Sequence, residues 1–173
     1  NAAPSADMAP PLMVLGARVE ITGLEGQRSL PVEEFFTGPG EHALTRGEVL
    51  TSIRFPVPSR QTRCVYLKMT SRTSLGIALA GVALALTRED SLVRHVRIAL
   101  GAVAPTPIRA VSAEEVLKGS LVDDRRLELA ADETMKAAKP ISDVRGSAQY
   151  RSEMIRVLTL QALRSALNGW DEQ

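Results

Sequence analysis

The stretch IALAGVALALTREDSLVRHVRIAL, residues 77–100, holds the centre of the predicted fold. Residues 77–86 are all apolar or glycine, which is typical of a strand that is buried on both faces. The polar residues 87–91 form a loop of hairpin length, and residues 93–100 then alternate between apolar and polar side chains. Residues 62–69 alternate in the same way ahead of the apolar run. Three consecutive antiparallel strands are the simplest arrangement of these segments.

Helical patterns follow the strands. Ser112 and Glu115 have the spacing of a capping box, and Gly119 ends this first predicted helix. A second helix is predicted at about 124–139 and a third at about 147–168, the latter with a broad apolar stripe. Because strands come first and helices afterwards, we expect an α+β domain in which three antiparallel strands are covered on one face by about three helices.

The first third of the chain reads as short β elements with one or two helical turns. Residues 18–22 alternate and lead into a glycine-bounded turn, and Pro31 begins a short predicted helix. Residues 48–55 place Val49, Ile53 and Phe55 on one face, which predicts a half-buried strand. The proline-rich residues 56–59 end strand pairing. We therefore predict two domains, 1–57 and 58–173.

Composition excludes several classes of function. The net charge of +1 is too small for a nucleic-acid binder that neutralises phosphates, and no apolar run reaches the roughly 18 residues of a membrane span. The single cysteine, Cys64, excludes an internal disulfide and a self-contained zinc or iron–sulfur site, which suits the cytoplasm. We expect Cys64 to be a core thiol. No nucleophile elbow, P-loop or dinucleotide fingerprint is present.

The opening residues 1–12 are small and rich in proline. Pro4, Pro10 and Pro11 stiffen the segment, and the alanines around Ser5 allow a ligand or another chain to approach the backbone. Asp7 precedes a predicted helix, and two interpretations are open: it caps free N–H groups, which local pattern favours, or it accepts hydrogen bonds from a polyhydroxyl ligand. Lys68, next to Tyr66 on a strand, is ordinarily a surface residue, and a ligand contact is the second interpretation.

Taken in order, these segments resemble the FAD-binding flavoprotein subunit of the molybdenum hydroxylases. That family includes the medium subunits of carbon monoxide dehydrogenase and the flavin portions of xanthine dehydrogenase and aldehyde oxidase. The matching segments include NAAPSAD at 1–7, GAVAPTPIR at 101–109 and ISDVRGSAQYR at 141–151. The remaining matches are residues 9–12, 15–17, 31–40, 47–50, 66–68, 77–78 and 81–83.

The resemblance implies a remnant of the second lobe of an FAD-binding domain, followed by the α+β domain. It also implies that electrons pass from iron–sulfur centres through FAD to an external acceptor. The molybdopterin and the iron–sulfur clusters would be held by a molybdenum-binding large subunit and an iron–sulfur small subunit. A fixed cation at the flavin would favour its anionic reduced form.

The family pattern also assigns roles to individual residues. Asp7 would accept hydrogen bonds from the sugar-alcohol chain of the flavin, and Lys68 would reach a polar flavin edge. The other predicted cofactor-binding residues are Ala3, Pro4, Ser5 and Ala6 along the cofactor, with Leu44 and Leu50 near the isoalloxazine or adenine.

Two departures from the family pattern shape our expectations. The glycine-rich loop and the Gly-Gly-Asn turn of relatives would lie ahead of residue 1, so the sequence corresponds to about the C-terminal three-fifths of a subunit. Leu75 and Gly76 stand where some relatives carry an acidic residue. We therefore predict that this piece alone binds FAD weakly or not at all and does not turn over. Two alternatives remain open: a non-enzymatic α+β docking module, and a related FAD oxidase without molybdenum, which the segment 101–151 disfavours.

Overall fold

A four-stranded antiparallel sheet organises the computed structural model, which describes residues 2–70, 76–89 and 91–168. The helices are α1 (Ala9–Val14), α2 (Val32–Phe35), α3 (Val111–Leu117), α4 (Asp124–Ala137) and α5 (Ala148–Asn168). The strands before residue 60 are β1 (Arg18–Gly23), β2 (Gly26–Pro31), β3 (Phe36–Gly38), β4 (Glu41–His42) and β5 (Val49–Arg54). The strands of the main sheet are β6 (Thr62–Thr70), β7 (Ala78–Glu89), β8 (Leu92–Gly101) and β9 (Ile108–Arg109), and they neighbour one another in that order.

Helices α3, α4 and α5 cover one face of this sheet. Helix α5 lies on β6 and β7, α3 lies on β8, and α4 packs against both helices. Every second residue of β7, including Val82 and Leu84, points into this core and meets Ile155 and Leu163 of α5. Because strand side chains alternate between faces, the same strand also supplies the opposite face.

The opposite face is covered by α1, and residues of the small sheet β2-β1-β5 belong to the same apolar cluster as that face. Helix α1 packs on β7 and β8, and its Met13 is buried with Ala83 and Ala99 of the main sheet. Side chains as short as alanine let α1 come close to the sheet. Both faces of β7 are therefore buried, as the unbroken apolar run 77–86 predicted.

Arg109 joins the two parts of the chain. Its Nε donates to Glu114 Oε1 at 2.7 Å and its Nη2 donates to Glu114 Oε2, while Nη1 lies 3.7 Å from Glu33 Oε1 of α2. The buried Glu114 also accepts the Ile98 N–H at 2.8 Å. One guanidinium thus contacts helices from the first and the later part of the chain.

The α+β class is confirmed, and two details of the prediction change. The main sheet has a fourth strand, because Ile108–Arg109 pairs with Leu100 and Ala99 of β8. The capping box at Ser112 is wrong: α3 begins at Val111 with Ala110 as its N-cap, so Ser112 already lies inside the first turn. The short helix after Pro31 is confirmed.

Two burial predictions are also wrong. Val49, Ile53 and Phe55 are 62%, 41% and 51% exposed, whereas Leu50 of β5 packs partly buried against the core; a register irregularity in the pairing of β5 with β1 interrupts the simple alternation that the prediction assumed. Cys64 lies on the edge strand β6 as an exposed residue and is not part of the core. Its thiol is still partly shielded from water by neighbouring groups, which raises its pKa. Within the described ranges, no helix is both long and apolar enough to cross a membrane.

Candidate functional site

Asp7 meets two side chains of strand β6 instead of capping helix α1. Lys68 Nζ lies 2.6 Å from Asp7 Oδ2, and Tyr66 Oη donates to Asp7 Oδ1 at 3.1 Å. The N-cap residue of α1 is Met8, and it makes no side-chain cap bond. The capping interpretation of Asp7 is therefore wrong. Because Tyr66 and Lys68 are two residues apart in a strand, both present their polar groups on one face, where the cation attracts the carboxylate.

The three side chains, which we call the Asp7 cluster, keep unused hydrogen-bonding capacity. Burial, with the neighbouring Asp7 carboxylate, raises the pKa of Tyr66 above its usual value, so the phenol stays protonated and donates. The Asp7 side chain is 45% exposed, and a carboxylate has about four acceptor positions. Lys68 has about three donors, of which Asp7 uses one. The cluster can therefore both accept from and donate to the hydroxyl groups of a ligand.

Backbone hydrogen bonds hold the small-residue loop 2–7 beside the cluster. Ala6 N donates to Ala3 O at 3.0 Å, which closes a turn. Ala2 O accepts the Gly40 N–H at 3.1 Å, and Pro4 O accepts the Ala102 N–H at 2.8 Å. The loop is thus fixed from two sides by main-chain groups, while its short side chains leave its surface accessible.

Helix α1 approaches the end of β8 closely because residue 101 is glycine. A Cβ on Gly101 would lie 2.8 Å from Pro10 Cγ, which is shorter than any stable contact. The next residue, Ala102, has φ 63°, a left-handed conformation that costs roughly 1–2 kcal/mol for a residue with a Cβ. The backbone at 101–102 is therefore shaped to meet the opening loop.

A cleft of about 290 Å³ lies where the loop meets the two later motifs. Pro4 and Ser5 line it from the loop, Ala102 from residues 101–109, and Asp143 and Arg151 from residues 141–151. Three segments of the sequence resemblance, 1–7, 101–109 and 141–151, therefore converge on one place.

Asp143 and Arg151 form an ion pair at the wall of the cleft. Arg151 Nη2 lies 2.7 Å from Asp143 Oδ1, and the Arg145 N–H donates to the same oxygen at 2.8 Å. The Arg145 N–H and the Arg151 guanidinium lower the pKa of Asp143, so the carboxylate stays charged. The guanidinium of Arg151 is almost completely buried, in contrast to the exposed cation of Arg145.

The structure brings together some of the predicted cofactor-binding residues. Ala3, Pro4, Ser5 and Ala6 form the loop, and Asp7 and Lys68 are in direct contact. No contact that the structure describes joins Leu44 or Leu50 to this cluster; both are partly buried against the core around Met13. Leu75 lies outside the described residues.

Sequence reasoning missed Tyr66 and Arg151 as members of the site. Tyr66 had a usable signal, since it stands two positions before Lys68 and shares its face of the strand. Arg151 is the last residue of the matching segment 141–151, but its reach from α5 to the sheet depends on tertiary packing and left no local signal.

Comparisons with known proteins identify the family of the chain. Residues 1–58 match the FAD binding domain in molybdopterin dehydrogenase, and residues 65–166 match the CO dehydrogenase flavoprotein C-terminal domain. The chain belongs to the flavoprotein family of the molybdenum hydroxylases. The family resemblance of the sequence is thereby confirmed.

Individual members of this flavoprotein family align along almost the whole chain. The putative xanthine dehydrogenase FAD-binding subunit of Escherichia coli is 30% identical, over 96% of the chain and 58% of the relative. The carbon monoxide dehydrogenase medium chain of Afipia carboxidovorans is 34% identical, over 96% and 57%. The solved carbon monoxide dehydrogenase of Hydrogenophaga pseudoflava superposes with a TM-score of 0.93 at 32% identity, over 96% of the chain and 58% of its own. The chain therefore spans somewhat more than half the length of these relatives.

The residues present fit part of the family's cofactor, FAD. The ribityl hydroxyls of FAD need acceptors and donors at the edge of a groove, and the Asp7 cluster offers both with room left for a ligand. The neighbouring loop presents alanine, proline and serine, so a ligand can lie against its backbone. Its main-chain N–H at Ala6 is already used within the loop.

Proposed function

We propose that this chain supplies one side of the FAD site in the medium subunit of a molybdenum hydroxylase. The observation that carries the proposal is the Asp7 cluster, in which a carboxylate, an ammonium and a phenol meet beside the loop 2–7. Bound FAD would supply the redox centre through which electrons from iron–sulfur clusters reach an external acceptor.

Asp7 has the geometry of a hydroxyl acceptor whose carboxylate is held in place by neighbouring side chains. Lys68 and Tyr66 each bind one of its oxygens, so the carboxylate is oriented before a ligand arrives. Preorganised groups bind a ligand better because no ordering is needed on binding. The lone pairs that remain would accept from the ribityl hydroxyls.

Lys68 has two roles in this proposal. Its ammonium orients Asp7 through the 2.6 Å contact, and its remaining donors would reach a polar edge of the flavin. A cation held there would stabilise negative charge on the cofactor. Tyr66 donates to Asp7 and, as a protonated phenol, adds no charge of its own.

The other residues would supply shape. Ala3, Pro4, Ser5 and Ala6 would lie along the cofactor, where short side chains permit close approach to the backbone. Leu44 and Leu50 would contribute apolar contacts to its ring systems from the small-sheet side, where both are partly buried.

Partners follow from the same proposal. A large subunit with the molybdenum cofactor and a small subunit with iron–sulfur clusters would deliver electrons to this subunit in the cytoplasm. Because the chain spans 58% of the length of its relatives, we expect the isolated piece to bind FAD weakly and to be inactive by itself.

A docking module without cofactor is the second candidate. The exposed apolar side chains of Val49 and Ile53 on the edge strand β5 favour it, because such an edge can pair with another chain. A docking module, however, has no need for an oriented carboxylate beside a small-residue loop.

The deciding experiment compares two aspartates. The protein is purified from its host with the subunits that accompany it, as wild type, Asp7→Asn and Asp132→Asn. Asp132 is a matched control, since it also makes a 2.6 Å ion pair, with Arg156, and is 40% exposed. We expect Asp7→Asn to raise the FAD dissociation constant roughly 10- to 100-fold, the value of a charged hydrogen bond, and Asp132→Asn to leave it unchanged.

The outcomes separate the candidates. Yellow-brown wild-type protein with selective flavin loss in Asp7→Asn supports the FAD site. Equal flavin affinity in both variants contradicts the role of Asp7. Colourless wild-type protein that takes up no added FAD contradicts the proposal and supports the docking module.

A further inference from the structure

Arg151 is a buried cation that the FAD proposal does not use directly. Only 6% of its side chain is exposed, and in the described part of the chain its Nε has no hydrogen-bond partner. A buried charge is expensive, and apolar residues of similar size often replace it without loss of stability. The position of Arg151 therefore calls for a role other than filling the core.

The guanidinium joins three separate segments. Nη2 binds Asp143, while Nη1 lies 3.4 Å from both Leu79 O on β7 and Ala102 O in the segment 101–109. The planar fork of arginine can hold several acceptors in a fixed geometry, which a lysine cannot do.

Ala102 continues the connection toward the cofactor loop. Its carbonyl accepts from Arg151, and its N–H donates to Pro4 O at 2.8 Å. Its left-handed backbone, at φ 63°, points these two groups toward different neighbours. Strained conformations persist where the surrounding structure holds them, and the hydrogen bonds of Ala102 to Arg151 and to Pro4 are the contacts available for this.

The next residue is held as well. Lys139 N donates to Val103 O at 2.7 Å, so residues 102–103 are bound from both α5 and the segment after α4. Pro4, Ser5, Ala102, Asp143 and Arg151 all line the same cleft.

We propose that Arg151 is a positioning residue for the cofactor loop. It acts through Ala102 on Pro4, and Asp143 keeps its guanidinium in place. The inference rests on the proposed function, because it assigns to this relay the orientation of the loop along which FAD would lie. It explains why residues 101–109 and 141–151 meet residues 1–7 in the fold.

The test uses Arg151→Met in the protein purified with its accompanying subunits, with Arg156→Met as the matched control. Arg156 lies on the same helix and pairs with Asp132 at 2.6 Å, and no wall of the cleft contains it. Two readouts are compared: hydrogen–deuterium exchange of peptides covering residues 2–7 and 101–104, and the dissociation constant of FAD with the visible circular dichroism of the bound flavin.

We expect Arg151→Met to raise exchange in both peptides roughly tenfold, while the α4 peptide stays unchanged. The FAD dissociation constant should rise about tenfold and the flavin spectrum should change, because loss of positioning weakens binding without removing a contact. Arg156→Met should change neither readout.

A lowered unfolding temperature with wild-type exchange in both peptides and wild-type FAD affinity would overturn the proposal, since Arg151 would then be structural only. If Arg151→Met gives no folded protein, Arg151→Lys decides: it keeps the charge without the fork, and unchanged exchange at 101–104 would contradict the relay. Wild-type protein that binds no FAD refutes the proposed function, whereas the exchange rates still decide whether Arg151 holds the loop.

Discussion

The two faces of the main sheet carry different kinds of side chain. The helix-covered face carries long aliphatic side chains, such as Leu84 and Ile98, that meet α3 and α5 in a closed core. The face toward α1 carries Ala83 and Ala99 in its centre and the polar side chains of Tyr66 and Lys68 near its edge. Burial of apolar area is concentrated on the first face, and hydrogen-bonding groups that remain accessible are concentrated on the second.

Neighbouring residues of β6 belong to different faces of the sheet. Val65 and Leu67 pack toward the helices, while Tyr66 and Lys68 bind Asp7 on the other side. Because the side-chain period of a strand is two, a core and a site can share one strand without competing for positions. The comparison predicts that stability and cofactor binding respond to different substitutions.

Leu163→Ala on the helix side should have the largest effect on stability. Leu163 is fully buried, and its truncation should lower the free energy of unfolding by about 2–5 kcal/mol through lost burial and a cavity. Val157→Ala, on the exposed side of the same helix, is the control for helix propensity. Chemical denaturation measures both, and the protein that remains folded should bind FAD as wild type does. Loss of FAD affinity in folded Leu163→Ala would contradict the prediction that stability and cofactor binding respond to substitutions on different faces.

Gly101→Ala should have the next largest effect, and it acts on the α1 side. The new Cβ would lie 2.8 Å from Pro10 Cγ, and the ring of a proline in a helix cannot rotate away. We expect a loss of about 1–3 kcal/mol, as for other overpacked sites, accompanied by weaker FAD binding as α1 shifts. In the control, Gly146→Ala, the new Cβ would lie 3.6 Å from Tyr150 Cδ1, an ordinary contact. Equal unfolding midpoints for the two variants would contradict the close approach.

Tyr66→Phe should change binding more than stability. It removes the hydroxyl that donates to Asp7 Oδ1 while Lys68 still holds the other oxygen, so the free energy of unfolding should fall by only about 1 kcal/mol. FAD affinity should fall severalfold because the carboxylate is less firmly oriented. The other tyrosine of the chain, Tyr150, is an exposed control whose hydroxyl lies 3.5 Å from Met69 Sδ. If Tyr150→Phe weakens FAD binding equally, the hydrogen bond from Tyr66 to Asp7 makes no specific contribution to FAD affinity.

Glu48→Gln should have the smallest effect, and it should depend on pH. The Arg28 guanidinium and the Thr45 N–H lower the pKa of Glu48 from 4.5 to about 2. A carboxyl whose pKa is lower in the folded state stabilises that state above its unfolded pKa, and this stabilisation declines as the pH falls from 4.5 to 2.

Thermal unfolding across this range is the measurement for Glu48. Wild type should unfold at a higher temperature than Glu48→Gln at pH 7, and the difference should close toward pH 2. Glu25→Gln, on the exposed β1–β2 turn, serves as the control. A difference between wild type and Glu48→Gln that stays constant with pH would contradict the pairing with Arg28.

Local periodicity was sufficient to predict most of the architecture. The apolar run 77–86 predicted a strand with two buried faces, and the stripe at 147–168 predicted the long helix α5. The two-residue strand β9 escaped prediction because its pairing with Ala99 and Leu100 is set by the tertiary fold. The exposure of Val49 and Ile53 on β5 also escaped prediction, since the tertiary fold decides which parts of a strand are covered.

The candidate site was predictable in its parts rather than in its contacts. Ligand contacts of Asp7 and Lys68 were open interpretations of the local sequence that the family resemblance favoured, and the structure brings the two side chains to 2.6 Å. The preference for Asp7 as a helix cap was wrong, because a cation 61 residues away competes for the carboxylate and local pattern cannot register it. Which of the predicted residues contact FAD stays a prediction.

The ion pairs of Arg109 with Glu33 and Glu114 bear on how the molecule melts. Arg109 contacts both α2 and α3 and so links the first sixty residues to the remainder. Unfolding of either part would therefore remove an ion pair from the other. We therefore expect a single calorimetric transition, in which the first sixty residues and the helical layer lose order at one temperature.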